Sequence, residues 1–549
     1  MTRERLYLFD TTLRDGAQTT GIDFSLADKR RIVTLLDGLG LDYIEGGFPG
    51  ANAVDTELFA HRPALTCSRF TAFGMVKRAG RSVENDTGLQ ATLAADTDAI
   101  CLVAKAWDYH VRVALGITNE ENLSGIDLSV RAVVASGREA MIDCEHFFDG
   151  YKGNPAYALA VARTAFEAGA RWVVLCDTNG GTLPHEVERI VADVARTVPG
   201  DRLGIHAHND TENAVANSLA AVRAGVRQIQ GTLNGIGERC GNANLTSVIP
   251  TLLLKSEFAD RFDTQVTPER LRALTHASRV LDEVLNRAPN RHAAYVGESA
   301  FATKAGIHAS ALMKEPQTYE HVPPEAVGNE RRLLVSSQAG KSNLLAALAR
   351  FGIAADPADP RVADLLDMIK QRESQGYAYE TAEASLELLA RRTLGHVPQY
   401  FTVDSFRVMV ERRHNALGRL ITVSEAIVKV HVAGADEPLW SVGEGNGPVN
   451  ALDRALRRDL GRYQHHLAGV ELVDYKVRIL TGGTEAVTRV LVESRDEATG
   501  DSWITVGVSP NIIDASFEAL IDAINFKLIR DGAEAPTRET QSADGAIWV

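Results

Sequence analysis

The sequence has no CxxC cysteine pair, no apolar run approaching a membrane span, no excess of basic residues and no glycine-rich turn after its first strand-like run. Each absence excludes a class of protein. The five cysteines, Cys67, Cys101, Cys144, Cys176 and Cys240, all fall in the first half, and without CxxC spacing neither a zinc ribbon nor a thioredoxin-type redox site is available. Several lie in apolar strand-like runs, which suits buried free thiols in a reducing cytosol. A membrane helix needs ~20 consecutive apolar residues, and no run comes near that. The first residues, MTRERLYLFD, enter structured sequence at once, with no apolar segment before a small-residue cleavage site, so no secretory leader is expected. Against 72 Asp and Glu there are only 58 Lys and Arg, a net charge of -14. Nucleic-acid and anionic-membrane surfaces both need a cationic footprint, so neither partner is expected. An anionic substrate stays open, because an arginine or a metal can set the local sign. The expectation is a cytoplasmic protein.

At 549 residues the chain is long enough for roughly three or four domains. From residue 6 to about 285, short apolar runs alternate with longer helical patterns: LYLFDTT (6–12), DYIEGGF (42–48), FTAFGM (70–75), AICLVAK (99–105), EAMIDCE (139–145), WVVLCDT (172–178), RLGIHAH (202–208) and RQIQGTL (227–233). Between them lie stretches such as SLADKRRIVTLLDGLG and NPAYALAVARTAFEAGA, whose helical periodicity ends at glycine. Eight strand–helix units predict an α/β fold, a (β/α)8 TIM barrel of roughly the ~250 residues usual for that architecture. The rival, a doubly wound open sheet, calls for fewer repeats and for the glycine-rich phosphate turn that is absent.

The catalytic barrel is expected over 1–285, and helical linker subdomains covering the active site over 286–395, with LLAALARFG, ADLLDMIKQRES and TAEASLELLARRTLG as helices. A C-terminal α+β domain follows over 396–535. Its strands are read as YFTVDSFRVMVE, AIVKVHVAG, YKVRILTG, TRVLVESRD and SWITVGVS, and its helices as VNALDRALRRDLGRY and SFEALIDAINFKLIRD. The small polar tail, 536–549, reads as flexible.

The strand ends carry the chemistry. Thr12, Arg14 and Asp15 follow the first strand, and Glu45 lies on the second. Lys105 ends the fourth, Glu145 the fifth, and Asp177 with Thr178 the sixth. His206 and His208 end the seventh, and Asn234, Glu238 and Asn242 follow the eighth. Barrel enzymes place their active sites at this end, and so many charged groups would be costly if merely buried. His206 and His208, two apart on a strand, face the same way into the barrel mouth. In a closed barrel strand one pairs with strand eight, and seven is next, so Asp15 reaches the same place. Asn242 could add a neutral oxygen. Two imidazoles, a carboxylate and an amide make a mixed N/O set suited to divalent Mn, Zn, Mg or Fe. The alternative is a pair of hydrogen-bonded core histidines.

DTTLRDGAQ (10–18), GIHAHND (204–210) and GERCGNAN (237–244) together resemble the DRE-TIM metallolyases, and within them the acyl-CoA condensing branch of isopropylmalate, homocitrate and citramalate synthases. The similarity continues through KAGIHASA (304–311) and GNGPVNALDRAL (445–456), so it covers nearly the whole chain. EGGFPGANAVD, DCEHFFDGYKGNP and CDTNGGTLPHE are most like the citramalate-forming type. The resemblance implies a metal-dependent acyltransferase that condenses acetyl-CoA with pyruvate to (R)-citramalate, on the route to isoleucine. It implies Asp15, His206, His208 and Asn242 as metal ligands and Arg14 as the group stabilising the developing alkoxide. Thr178 would hydrogen-bond the substrate carboxylate, and Glu145 with His308 would be the catalytic pair. Because His308 lies outside the barrel sequence, its role depends on the linker folding over a barrel mouth, which in this family is the partner subunit's. Many family members have a glutamate where this chain has Ala17, so any role of that carboxylate does not carry over. The C-terminal domain resembles the family's regulatory domain, which implies a homodimer with isoleucine, or leucine, as effector. A domain that only dimerises is the alternative.

Other readings stay in play. Glu145 could be a strand-end carboxylate paired with Lys105. The substrate could be 2-oxoisovalerate, giving 2-isopropylmalate. The barrel could run carbon–carbon cleavage as a lyase or aldolase, although such lyases lack the long C-terminal domain. A non-catalytic amino-acid sensor on a dead barrel is disfavoured by the intact Arg14, Asp15, Glu145, His206 and His208 set. QAGKS (338–342) is not a P-loop, because position 335 is Val rather than Gly. The glycines of GEGNGP (443–448) are expected to permit a tight strand-to-helix turn rather than to bind a dinucleotide. Asn209 is expected as support behind the histidines, and Asp210 has no assigned role.

Overall fold

The computed structural model describes residues 3–335, 340–395, 397–414, 416–483 and 486–535. The tail expected to be flexible, 536–549, lies outside the described residues, as do positions 338 and 339 of QAGKS.

Eight parallel strands close into a barrel: β1 (Tyr7–Asp10), β2 (Tyr43–Gly47), β3 (Arg69–Met75), β4 (Ala99–Lys105), β5 (Glu139–Glu145), β6 (Trp172–Asp177), β7 (Leu203–Ala207) and β8 (Gln228–Gly231). A helix follows each in turn: α1 (Leu26–Leu39), α2 (Ala53–Ala60), α3 (Thr87–Ala94), α4 (Asn119–Ala135), α5 (Pro155–Glu167), α6 (Pro184–Val194), α7 (Ala214–Ala224) and α8 (Leu245–Leu254). The local sequence explains these elements. In α1 the Ser25 hydroxyl accepts from the Asp28 N–H while the Asp28 carboxylate accepts from the Ser25 N–H, and the helix stops where Gly40 turns left-handed at φ 83°. In α5, Asn154 caps the start and proline occupies the first turn, where its missing N–H costs nothing.

Strand alternation sorts the side chains into two layers. One parity, including Leu6, Leu8, Ile44, Ile100, Leu102 and Ile142, packs outward against the helices. The other points inward, and at the N-terminal end of the barrel it is a plug of Phe9, Tyr43, Cys101, Met141, Trp172 and Val174. Further along the same inward parity come Glu45, Asp143, His206 and Gln230, all buried. The interior therefore runs from an aromatic floor to a polar mouth, and the chemistry sits at the mouth. Closure comes from β1, which pairs with β2 on one side and β8 on the other, while β8 also pairs with β7.

The contacts divide the chain into two units. One runs through Phe301 and includes Glu320–Arg331, whereas the other takes Ala302–Tyr319 and continues from Arg332. The middle region expected over 286–395 is thus shared between them. In the second unit lie the helices α9 (Gly306–Lys314), α10 (Lys341–Arg350), α11 (Pro360–Ser374) and α12 (Glu383–Leu394). It also holds two three-stranded antiparallel sheets. One is β9 (Phe401–His414), β10 (Leu420–Val432) and β11 (Leu439–Gly445), and the other is β12 (Val470–Ile479), β13 (Thr488–Asp496) and β14 (Ser502–Ser509). Two further helices, α13 (Pro448–Arg458) and α14 (Ile512–Arg530), share their core.

One detail differs from the sequence expectation. β11, LWSVGEG, is a strand that sequence alternation does not single out, because its only apolar side chains are Leu439, Trp440 and Val442. The glycines expected at a tight strand-to-helix turn stand where β11 gives way to α13, and they permit close packing there without a positive φ. A Cβ on Gly443 would stand 2.5 Å from the Ala451 carbonyl oxygen, so only glycine lets α13 lie down on β11. Among the described residues no helix is long and apolar enough to cross a membrane.

Candidate metal centre

Asp15, His206, His208 and Asn242 converge at the barrel mouth, each at most 5% exposed. His206 lies within β7 and His208 directly follows it, so alternation turns both rings inward. Their Nε2 atoms are 3.3 Å apart. Asp15 enters from the turn after β1, and its Oδ2 is 3.1 Å from His206 Nε2 and 3.7 Å from His208 Nε2. Asn242 reaches in from the loop after β8, its Nδ2 donating to Asp15 Oδ2 at 2.9 Å and lying 3.1 Å from His206 Nε2. Gly237 makes room for it, because a Cβ there would stand 1.8 Å from Asn242 Oδ1. Among the described residues, Asp15, His206 and His208 are the one group of three or more His, Cys, Asp or Glu side chains whose ligand atoms gather within 4.8 Å.

The electrostatics suit a cation. Burial alone would raise the Asp15 carboxyl, but Arg14 and the two imidazoles hold it well below the usual carboxylate range. Burial and the neighbouring His206 push His208 down to about 4, leaving its ring neutral and able to donate a lone pair. Asp15 Oδ1, His208 Nδ1 and Asn242 Oδ1 are buried with no hydrogen-bond partner among the described residues. Unpartnered oxygens so deeply buried are costly in a protein that never places a cation beside them. The donor set of two nitrogens and two oxygens fits a divalent metal of the Mn, Zn or Mg type.

Arg14 lies beside this cluster. Its Nε donates to Glu45 Oε2 at 2.8 Å, its guanidinium stands 3.6 Å from Asp15 and 4.0 Å from Asp143, and Phe73 packs its ring against it at 4.2 Å. Burial disfavours its charge, yet three carboxylates around it keep the guanidinium ionised. Thr178 follows β6, and its hydroxyl oxygen accepts from the His146 N–H at 2.8 Å, which leaves the hydroxyl proton free to donate elsewhere. Lys105 and Glu145 are partners in the β4–β5 register, and their side chains form an ion pair at 2.5 Å. The paired-carboxylate reading of Glu145 therefore describes its geometry, at a place facing the barrel mouth. His308 belongs to the other of the two units. It lies on α9 and stacks on Tyr319 with ring centroids 4.2 Å apart.

Three family descriptions match consecutive stretches: HMGL-like over residues 5–277, homocitrate synthase post-HMGL domain-like over 295–376, and LeuA allosteric (dimerisation) domain over 380–528. The chain is 48% identical to the (R)-citramalate synthase of Aquifex aeolicus over 535 residues, 97% of this chain and 99% of that protein. It is also 48% identical to the (R)-citramalate synthase of Synechocystis, over 95% of this chain and 96% of that one. The chain belongs to the (R)-citramalate synthase family. A probable 2-isopropylmalate synthase from Methanopyrus kandleri is more distant, at 32% identity over 95% of this chain and 98% of that one.

In this member of the family the loops around the cluster are strapped to one another. Arg239 forms a two-pronged pair with Asp210, 2.7 and 3.0 Å, and its Nη2 also donates to the Thr178 carbonyl. Asp210, unassigned from the sequence, thus ties the loop bearing Asn242 to the end of β7. Asn209 supports the same corner: its side-chain oxygen accepts from the Ala214 N–H at the start of α7, and its own N–H donates to the Gly241 carbonyl. Sequence reasoning missed Asp143 and Gln230, which stand behind His206. The signal was there in the inward parity of polar residues on β5 and β8, but a polar residue in a strand reads equally as a strand end or a structural contact.

Proposed function

We propose that this chain condenses acetyl-CoA with pyruvate and hydrolyses the resulting thioester, releasing (R)-citramalate and CoA, and that the cluster of Asp15, His206, His208 and Asn242 is its metal site. The observation that carries the reading is the convergence of those four side chains beside Arg14, in a chain related over nearly its whole length to (R)-citramalate synthases.

A divalent cation held there supplies Lewis acidity to the keto oxygen of the 2-oxo acid. Asp15 and the imidazole Nε2 atoms of His206 and His208 would hold it, and a half-turn of the Asn242 amide would bring Oδ1 to it in place of Nδ2. Arg14 presents a permanently charged, planar donor fork, already fixed by Glu45, to the oxygen that gains charge as the new carbon–carbon bond forms. Thr178, with its oxygen satisfied by the His146 N–H, donates its proton to the substrate carboxylate. The acetyl methyl group is a weak acid, so a base must take its proton as the carbon attacks C2 of pyruvate, and Glu145 with His308 are the groups proposed for proton transfer. Water then adds to the thioester carbonyl and CoA leaves as the thiol, which makes the sequence irreversible.

The reading extends to a homodimer built through the C-terminal domain, with isoleucine as its effector, and to a cytoplasmic location. The match to a LeuA allosteric (dimerisation) domain supports the first, and five free cysteines suit the second.

Thiol release from acetyl-CoA, measured with a panel of 2-oxo acids with and without chelator, tests the reading. Free CoA is expected with pyruvate and metal only. Equal or better turnover of 2-oxoisovalerate would overturn the citramalate assignment, and turnover untouched by exhaustive chelation would overturn the metal site. Inhibition by added isoleucine tests the effector.

A further inference from the structure

Behind the metal cluster lies a hydrogen-bonded pair that the mechanism above does not use. Gln230, on β8, is the register partner of His206 on β7 and is fully enclosed. Its side-chain Oε1 is 2.9 Å from His206 Nδ1, and its Nε2 donates to Asp143 Oδ1 on β5 at 3.1 Å. Asp143 is itself buried, with its other oxygen 4.0 Å from the Arg14 guanidinium.

The chemistry of these groups fixes their orientation. A glutamine amide has an accepting end and a donating end, and only the donating end can face a carboxylate. Asp143 therefore turns the accepting end of Gln230 toward His206. An acceptor at Nδ1 requires the proton to be on Nδ1, and in a neutral imidazole the lone pair is then on Nε2, the atom that converges with Asp15 and His208. His208 offers the contrast, because its Nδ1 is buried with no hydrogen-bond partner among the described residues. One ligand ring is locked and the other is not.

We propose that Asp143 and Gln230 form a positioning pair that presets the tautomer and ring orientation of His206 for a divalent cation, and that Asp143, standing beside Arg14, aligns the cation site and the guanidinium from one carboxylate. The proposal rests on the metal-site reading of the preceding subsection.

The test is the affinity for Mn2+ alone, measured on the full-length protein by competition with a chelator. Gln230→Met is nearly isosteric and removes the acceptor, and is expected to weaken binding about 10- to 100-fold, the usual cost of losing such a partner. Gln228→Met, at the sister glutamine two residues earlier on the same inward face, is expected to leave affinity unchanged. Asp143→Asn frees the Gln230 amide to turn over and is expected to weaken binding in the same direction, which keeps the proposal testable if Gln230→Met does not fold. Native affinity in Gln230→Met or in Asp143→Asn would overturn the proposal, and so would an equal loss in Gln228→Met. Failure of the underlying reading looks different: the native protein would then bind no Mn2+, or Asp15→Ala would bind it as well as the native protein does.

Discussion

On the β1–β7–β8 side of the barrel mouth, Asp15, His206, His208 and Asn242 are at most 5% exposed and touch one another directly. On the β4–β5 side, the Lys105 and Glu145 side chains are 20% and 25% exposed. The backbone differs as well. After β4 the chain passes through a helical turn, Asp108–His110, into a π-helical one, Val111–Leu115, whereas left-handed non-glycine residues occur on both sides, His146 after β5 and Asn234 and Arg239 after β8. The His110 and His146 rings lie 4.2 Å apart, and His110 Nδ1 has no hydrogen-bond partner among the described residues. π turns and left-handed non-glycine residues concentrate where function overrides local preference. The contrast teaches a division of labour. The side proposed to hold the metal is buried and bonded within itself, the preorganisation that electrostatic catalysis requires, while the side proposed for proton transfer is partly open to solvent.

Removing Asp15 should break the ligand side outright. Asp15→Ala is expected to abolish Mn2+ binding and to lower CoA release by more than about 10^4-fold, beyond the ~10^2–10^4 that one proton-transfer group contributes. Tight Mn2+ binding by this variant would erase the distinction between the two sides.

The other side should fail differently. Glu145→Gln is expected to reduce kcat by about 10^2- to 10^4-fold while Mn2+ affinity stays native. Lys105→Met removes one charge-assisted contact worth about 1.5 kcal/mol, so a loss of about tenfold in kcat is expected, again with native Mn2+ affinity. A double-mutant cycle sharpens this. If Lys105 acts through Glu145, its substitution should cost little once Glu145 is already glutamine, and full additivity would show that it does not.

The two sides were unequally legible in the sequence. His206 and His208 announced themselves because a period of two fixes which face a strand residue takes, and barrel closure then brought Asp15 and Asn242 to them. Lys105 and Glu145 each end a strand, so their pairing was one of two readings until the β4–β5 register placed them side by side. Gln230 and Asp143 were not legible as a pair, because 87 residues separate them and only the folded barrel shows which end of an amide faces which neighbour. β11 was missed because edge strands with glycine carry almost no alternation, and the role of Gly443 is visible only against the helix that it admits.

The smallest expected effect comes from a mouth loop that carries no proposed chemistry. Asp86 caps α3, accepting from the N–H groups of Arg78, Gly88 and Leu89 at 2.8, 3.0 and 3.1 Å and from Arg78 Nε at 3.1 Å. Burial pushes its carboxyl up, but those donors win and hold it at about 2, below the ordinary value of roughly 3.9 for an unfolded chain. A carboxyl depressed on folding stabilises the native state above its unfolded value, and that stabilisation is lost as the pH falls through the folded one. Asp86→Asn keeps an acceptor but loses the charge. It is expected to melt below the native protein near neutral pH by about 1 kcal/mol or less, the scale of a helix cap, with CoA release and Mn2+ affinity unchanged. The gap should narrow from about pH 5 to about pH 2, because the unfolded chain's carboxyl takes up its proton before the native one does. A gap that stays constant over that range would mean that the shape of the cap, and not its charge, holds this loop. A fall in CoA release would mean that the partly open side of the mouth extends to β3.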